Sequence, residues 1–248
     1  MVAISPNRER KTAIIIGASR GLGLGLAREF ARRGWQVTAT ARDASSAKEL
    51  AATIAASDEK IAVEQVDINL PDRIAALASR LALCRFDLIF INAGVAGPEH
   101  QSVDAVTPEE IGALIYTNAV APIRIARRLR PLLNDGGTIA FMSSQMGSVA
   151  ENDSGGIELY RASKAALNSL TRSFVATDIK DRPVAVLTMH PGWVRTDMGG
   201  PNAPLSVAQS VAGIADVIEV GQKPGHRFID YQGAELSCAR ADLRTSLP

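Results

Sequence analysis

The chain is poor in the residues that build disulfide frameworks, metal centres and membrane spans. Among its 248 residues only Cys84 and Cys238 are cysteine, and they form no CxxC pair. That usage argues against a disulfide scaffold and predicts two reduced thiols acting as packing residues in a cytosolic protein. Histidine is confined to His100, His190 and His226, which make no metal-ligand spacing. No apolar run approaches the roughly 18–20 residues of a membrane span, and MVAISPNRERK at the start lacks the apolar core of a secretory signal. Neither sign of charge dominates: 27 Lys and Arg against 26 Asp and Glu leave a net +1. That balance argues against a general nucleic-acid or anionic-membrane surface but allows a local basic pocket. A cytoplasmic location and small-molecule partners are the expectation.

What is present describes a soluble globular chain, 46% hydrophobic and 21% charged. Apolar runs of strand length recur at 12–17, 35–42, 61–68, 86–94, 136–144, 183–192 and 226–233. Helical patterns fall between them at 22–34, 46–57, 71–83, 108–133, 160–179 and 207–221. Gly34 reads as a C-cap and Ser206 as an N-cap, and Pro122 should bend the long helix where its backbone donor is missing. Strands of near-continuous Val, Ile, Leu and Ala alternating with helices predict a mainly parallel sheet covered on both faces. The expected fold class is α/β, one Rossmann-type doubly wound domain over 1–248 with about seven strands. Residues 1–10 read as a lead-in and 193–206 as a lid rich in glycine and proline.

Three stretches carry chemistry. After the first strand comes Gly17-Ala-Ser-Arg-Gly21-Leu-Gly23, a turn that would let a pyrophosphate approach the backbone at a helix N-terminus. Its spacing is G-x-x-x-G-x-G, not the general dinucleotide fingerprint. At the end of the second strand stand Ala41 and Arg42 where an NAD site wants an acid. With Arg20 in the glycine turn, Arg42 suits a 2′-phosphate. Asp43 complicates this, because a slipped register would bring an acid to the ribose, and Arg42 could equally sit in solvent. The third stretch is Ser143 to Lys164. Tyr160 and Lys164 lie four apart on one helical face, and Ser144 closes a strand that could bring a hydroxyl to the same point. A phenol, an ammonium and a hydroxyl together suggest proton transfer to a carbonyl oxygen.

GASRGLG, VDI at 66–68, NAG at 92–94, Asn118, Ser144, Tyr160-x-x-x-Lys164 and PGWVRT at 191–196 together resemble the short-chain dehydrogenase/reductase superfamily. The match runs over roughly residues 10 to 233. More narrowly, MSSQMGSVAEN, YRASKAALN and HPGWVRTDMGG are similar to the C-factor and sniffer-like carbonyl reductases. The resemblance implies NADP(H), with NAD(H) second. It places Gly17, Ser19, Arg20, Gly21, Leu22 and Gly23 at the pyrophosphate and 2′-phosphate, with Asp67 and Ile68 at the adenine. Asn92, Ala93 and Gly94 would lie beneath the cofactor ribose, and Pro191, Gly192, Val194 and Thr196 at the nicotinamide carboxamide. Tyr160 becomes the general acid in reduction, and Ser144 the donor to the substrate oxygen. Lys164 would lower the phenol pKa with the helix N-terminus and bind the nicotinamide ribose, and Asn118 would hold a water that relays protons through Lys164. The S-x-x-G pattern favours Ser144 over Ser143.

The gap between Ser144 and Tyr160 is longer than the family's usual dozen or so, so VAENDSGG should loop at the substrate mouth. Met146, Val149, Trp193 and Met198 suggest an apolar pocket, although Trp193 and the methionines would also serve as core. Arg195 and His100 are the available anchors for an anionic substrate. The expected activity is NADPH-dependent reduction of a ketone or aldehyde. The alternative is a cofactor-binding signalling protein of the C-factor kind with little turnover. A homodimer or homotetramer through 108–133 and 160–179 is expected from the family, and a monomer would fit the same helices.

Overall fold

The computed structural model describes residues 10–56 and 60–238, so the expected lead-in lies outside the described residues apart from Arg10. The strands are β1 (Thr12–Ile16), β2 (Gln36–Ala41), β3 (Ile61–Gln65), β4 (Phe86–Ile91), β5 (Leu133–Met142), β6 (Ala185–His190) and β7 (Gly225–Asp230). They form one sheet in the order β3-β2-β1-β4-β5-β6-β7, every pair parallel. Alternate residues of β1 serve opposite faces. Ile14 and Ile16 enter one apolar cluster with Ile89, Phe141 and Phe174, whereas Ala13 and Ile15 enter another with Phe30, Leu187 and Ile214. Both faces are buried, which is why the strands read as unbroken apolar runs. Each fully buried Ile or Leu contributes roughly 1.5–3 kcal/mol.

The helices are α1 (Gly21–Arg32), α2 (Ala44–Ala55), α3 (Pro71–Arg80), α4 (Pro108–Ile115), α5 (Ala121–Leu129), α6 (Glu158–Phe174) and α7 (Val207–Glu219). Ser206 caps α7 through a reciprocal pair with Gln209, and Gly34, with φ of +88°, follows the end of α1.

Four expectations need correction. The helix expected over 108–133 is α4, a π-helical turn at Tyr116–Val120, α5 and a 3-10 turn at Arg130–Leu132, and Leu133 already belongs to β5. Pro122 has no N–H for the Asn118 carbonyl four residues earlier, so the α-helical ladder is interrupted there. The second helix begins at Ala44, not 46, because Asp43 caps it by accepting from the Ser46 amide. Residues 66–68, 92–94, 143–144 and 191–192 have left their strands, the chain there turning above the sheet. Cys84 is exposed and Cys238 half-buried. Because α3 ends at Arg80, Cys84 and the 98% exposed Leu83 lie in the solvent-facing turn before β4 rather than in packing. No helix among the described residues is long and apolar enough to cross a membrane.

Candidate active site

The strand order reverses between β1 and β4, which run parallel, and ligands of such sheets bind at the C-terminal strand ends beside that point. At the end of β1 the chain turns through Gly17 into α1. The Asn92 side chain donates to the Gly17 carbonyl at 2.7 Å, and the Asn92 and Ala93 amides both donate to the Ile16 carbonyl. A Cβ on Gly23 would lie 2.1 Å from the Gly17 oxygen, so glycine is required for α1 to start this close to the strand. The N-cap, Arg20, supplies no side-chain acceptor to the first turn of α1, and no acid stands in that turn. Those N–H groups and the helix dipole suit an anion. Ser19 and Arg20 are exposed, and Arg20 pairs with Asp197 at 3.1 Å. At the end of β2, Arg42 is 72% exposed and 3.5 Å from Asp43.

The catalytic candidates gather at the ends of β4 and β5 and the start of α6. Ser144 caps the short turn at Gln145–Gly147 by accepting from the Met146 amide at 3.1 Å. Tyr160 lies in the first turn of α6, its phenol close enough to Ser144 for that hydroxyl to act on its pKa. Lys164 is 4% exposed, its Nζ donating to the Met142 carbonyl at 2.9 Å and lying 5.6 Å from the Tyr160 ring centre. Asn118 accepts from the Val95 amide at 2.8 Å and donates to the Val95 carbonyl and the Ser163 hydroxyl. A Cβ on Gly94 would meet Asn118 Oδ1 at 3.2 Å and Lys164 Nζ at 3.5 Å, which brings all three to one point.

The expected lowering of the Tyr160 pKa is not met by the chain alone. Burial raises it from 10.0 to about 12, against the Ser144 hydroxyl, which lowers it. Burial likewise lowers Lys164 from 10.5 to about 8, because the buried ammonium is poorly solvated. The Asn118 side-chain amide is engaged by Val95 and Ser163. Its main-chain carbonyl is denied an α-helical donor by Pro122.

A cleft of about 1110 Å³ opens at Ser144 and Tyr160, lined also by Leu22, Ser143, Pro191, Gly192, Val194 and Thr196, with Met146, Trp193 and Met198 on its walls, whereas Asn118 and Lys164 are buried and do not line it. Val149 does not line it. It is 72% exposed, in the bend between the buried Ser148 and the cleft-lining Glu151. Asp67 opens instead on a separate cavity of about 280 Å³ at the β3 edge, and Ile68 is buried. Trp193 is 57% exposed, which removes the core-filler reading, and its ring N–H donates to the Gly199 carbonyl at 2.8 Å. Of the possible anchors His100 lines the cleft, whereas Arg195 donates to the carbonyls of Ala203 and Pro204.

Three residues escaped the sequence reading. Gln101 and Glu158 bind across to each other's segments, Gln101 to the Tyr160 amide and Glu158 to the Val103 amide, both at 2.9 Å. His190 lines the cleft with Nδ1 unpartnered, its pKa lowered by burial. Its place directly before Pro191 was the available signal. The other two partners are more than 50 positions apart, and no local pattern marks them.

A glycine-turned parallel sheet with a phenol and a hydroxyl at one cleft, and an ammonium buried beside the phenol, fits a nucleotide-dependent oxidoreductase. The chain belongs to the short chain dehydrogenase family, whose pattern matches residues 11–204. It is 40% identical over 165 residues to C-signal of Myxococcus xanthus, covering 65% of this chain and 98% of that protein. A carbonyl reductase from Pseudomonas aeruginosa in complex with NADP superposes with a TM-score of 0.84 at 42% identity, covering 92% of this chain and all of that one. The carbonyl reductase Sniffer of D. melanogaster superposes at 0.81 with 32% identity and the same coverage.

Proposed function

We propose that this chain is an NADPH-dependent reductase of ketones or aldehydes in which Tyr160 donates the proton. The observation that carries the reading is the single cleft in which Ser144 and Tyr160 meet Leu22, Gly192 and Thr196. When bound, NADPH would supply the hydride at its nicotinamide ring. The free first turn of α1 and its glycines fit the pyrophosphate. Arg42 and Arg20 fit the 2′-phosphate, and Pro191, Gly192, Val194 and Thr196 line the cleft where the nicotinamide carboxamide would lie.

Ser144 donates to the carbonyl oxygen as negative charge develops there. Tyr160 protonates that oxygen. With burial raising its pKa to about 12, the phenol carries its proton at neutral pH, as a donor must. Lys164 and the Asn118 carbonyl hold the water from which the proton is replaced. Residues 193–206 form the lid, tied by the Arg195 amide to the Leu205 carbonyl at 2.9 Å. Met146, Trp193 and Met198 favour apolar substrates. A carbonyl panel followed by NADPH absorbance tests the reading. Activated diketones or quinones should consume NADPH, and a panel in which no carbonyl is reduced would contradict it.

A further inference from the structure

The α6 helix starts without a cap of its own. Its N-cap residue, Ile157, offers no side-chain acceptor and has a φ of +49°, a conformation a β-branched residue rarely adopts. Arg161 is the first amide to reach an intrahelical carbonyl, that of Ile157 at 3.0 Å. The Tyr160 amide therefore stands at the position that a capping side chain normally serves. It is served by Gln101, whose Oε1 accepts from it at 2.9 Å across 59 positions. The same Gln101 is fixed at its other end, Nε2 donating to the Ala96 carbonyl at 2.9 Å and to the Pro98 carbonyl at 2.7 Å. Its own φ is +50°, so the backbone is held in a costly region to present the amide this way. Glu158 returns the connection by accepting from the Val103 amide at 2.9 Å. This loop leaves the sheet at Asn92–Gly94, and the Val95 amide and carbonyl bind the Asn118 side chain.

We infer that Gln101 is a positioning residue for the reaction: it caps α6 in trans at Tyr160 and fixes the phenol relative to Ser144, Asn118 and the substrate mouth. This rests on the reading of Tyr160 as proton donor. No nearer residue duplicates the bond, because Ile157 is apolar and Glu158 is engaged by Val103. A displacement of the phenol by about 1 Å suffices to slow the chemistry about 100-fold, so loss of one anchor should act on turnover more than on binding.

The test is Gln101→Gly, which removes the amide while suiting the positive φ. Gln101→Asn serves as a second variant that tolerates the same backbone but is one methylene too short. Hydrogen exchange of the Tyr160 amide should accelerate in both. With whichever carbonyl the wild type reduces, kcat should fall about 10- to 100-fold while the KM for NADPH stays put. Gln101→Glu, which keeps the acceptor, should restore slow exchange and part of kcat. Unchanged exchange, or faster exchange with unchanged kcat, would overturn the inference. So would equal losses in kcat and NADPH affinity with no rescue by Glu. If the wild type reduces no carbonyl, the reductase reading fails, whereas the exchange arm still decides whether Gln101 anchors Tyr160.

Discussion

Asp43 accepts two hydrogen bonds from Ser46, one from its amide at 2.9 Å and one from its hydroxyl at 2.8 Å. Those bonds hold the Asp43 carboxyl below its ordinary pKa and turn it to the N-terminus of its own helix. Both bonds go to Oδ1, while Oδ2 lies 3.5 Å from Arg42, so the acid is directed to its own helix and its neighbour, and the Arg42 guanidinium is the more exposed group at the end of β2. The Arg20–Asp197 pair is exposed at both ends, and such pairs are easily given up.

NADPH should therefore bind more tightly than NADH. Arg42→Ala should reduce that preference about 10- to 100-fold, the size of a lost charge-assisted contact. Asp43→Asn should destabilise the start of α2 without reversing the preference. Fluorescence titration with both cofactors checks this, and equal affinities for the two would contradict it.

Buried Lys164, with its pKa lowered to about 8, sets a pH limit. Its ammonium, needed beside Tyr160, is lost as pH rises through that value, so kcat for reduction should decline above about pH 8. The stability effect has the opposite sign. Between about 8 and 10.5 the unfolded chain holds the Lys164 proton and the folded chain does not, so this group makes folding more favourable as pH rises. A pH–rate profile beside a pH series of denaturant midpoints reads both. Activity rising smoothly through pH 9 would count against the Lys164 role.

Gly23→Ala should disrupt the glycine turn. Its Cβ would meet the Gly17 carbonyl at 2.1 Å and the Asn92 amide at 2.6 Å, one a backbone atom and the other the side chain that holds the turn. Binding of NADPH should weaken at least about tenfold, because misplaced α1 N–H groups no longer converge on an anion. Calorimetric titration of the variant checks this. Wild-type affinity would show that the turn can shift without consequence.

The layered sheet was legible because both faces of β1, β4, β5 and β6 are buried, so apolar content alone marks them. Their ends were not. Ser143, Ser144, Asn92 to Gly94 and Gly192 follow apolar runs closely enough to read as strand, yet they turn above the sheet to make the site. Pro122 marked a break in the long helix, but not that the break takes the form of a π-helical turn whose Asn118 side chain hydrogen-bonds Val95 and Ser163 across 23 and 45 positions. The pairing of Tyr160 with Lys164 follows from helical spacing, whereas their burial and its effect on both pKa values do not. Gln101 was invisible, since its partner is chosen by the meeting of two distant segments.

The central claim is that Tyr160 gives up the proton, and the most direct measurement is turnover of Tyr160→Phe beside its affinity for NADPH. Loss of a positioned general acid should lower kcat about 100- to 10,000-fold while the cofactor, held by the glycine turn and Arg42, binds as to the wild type. Reduction at the wild-type rate by Tyr160→Phe would contradict the account.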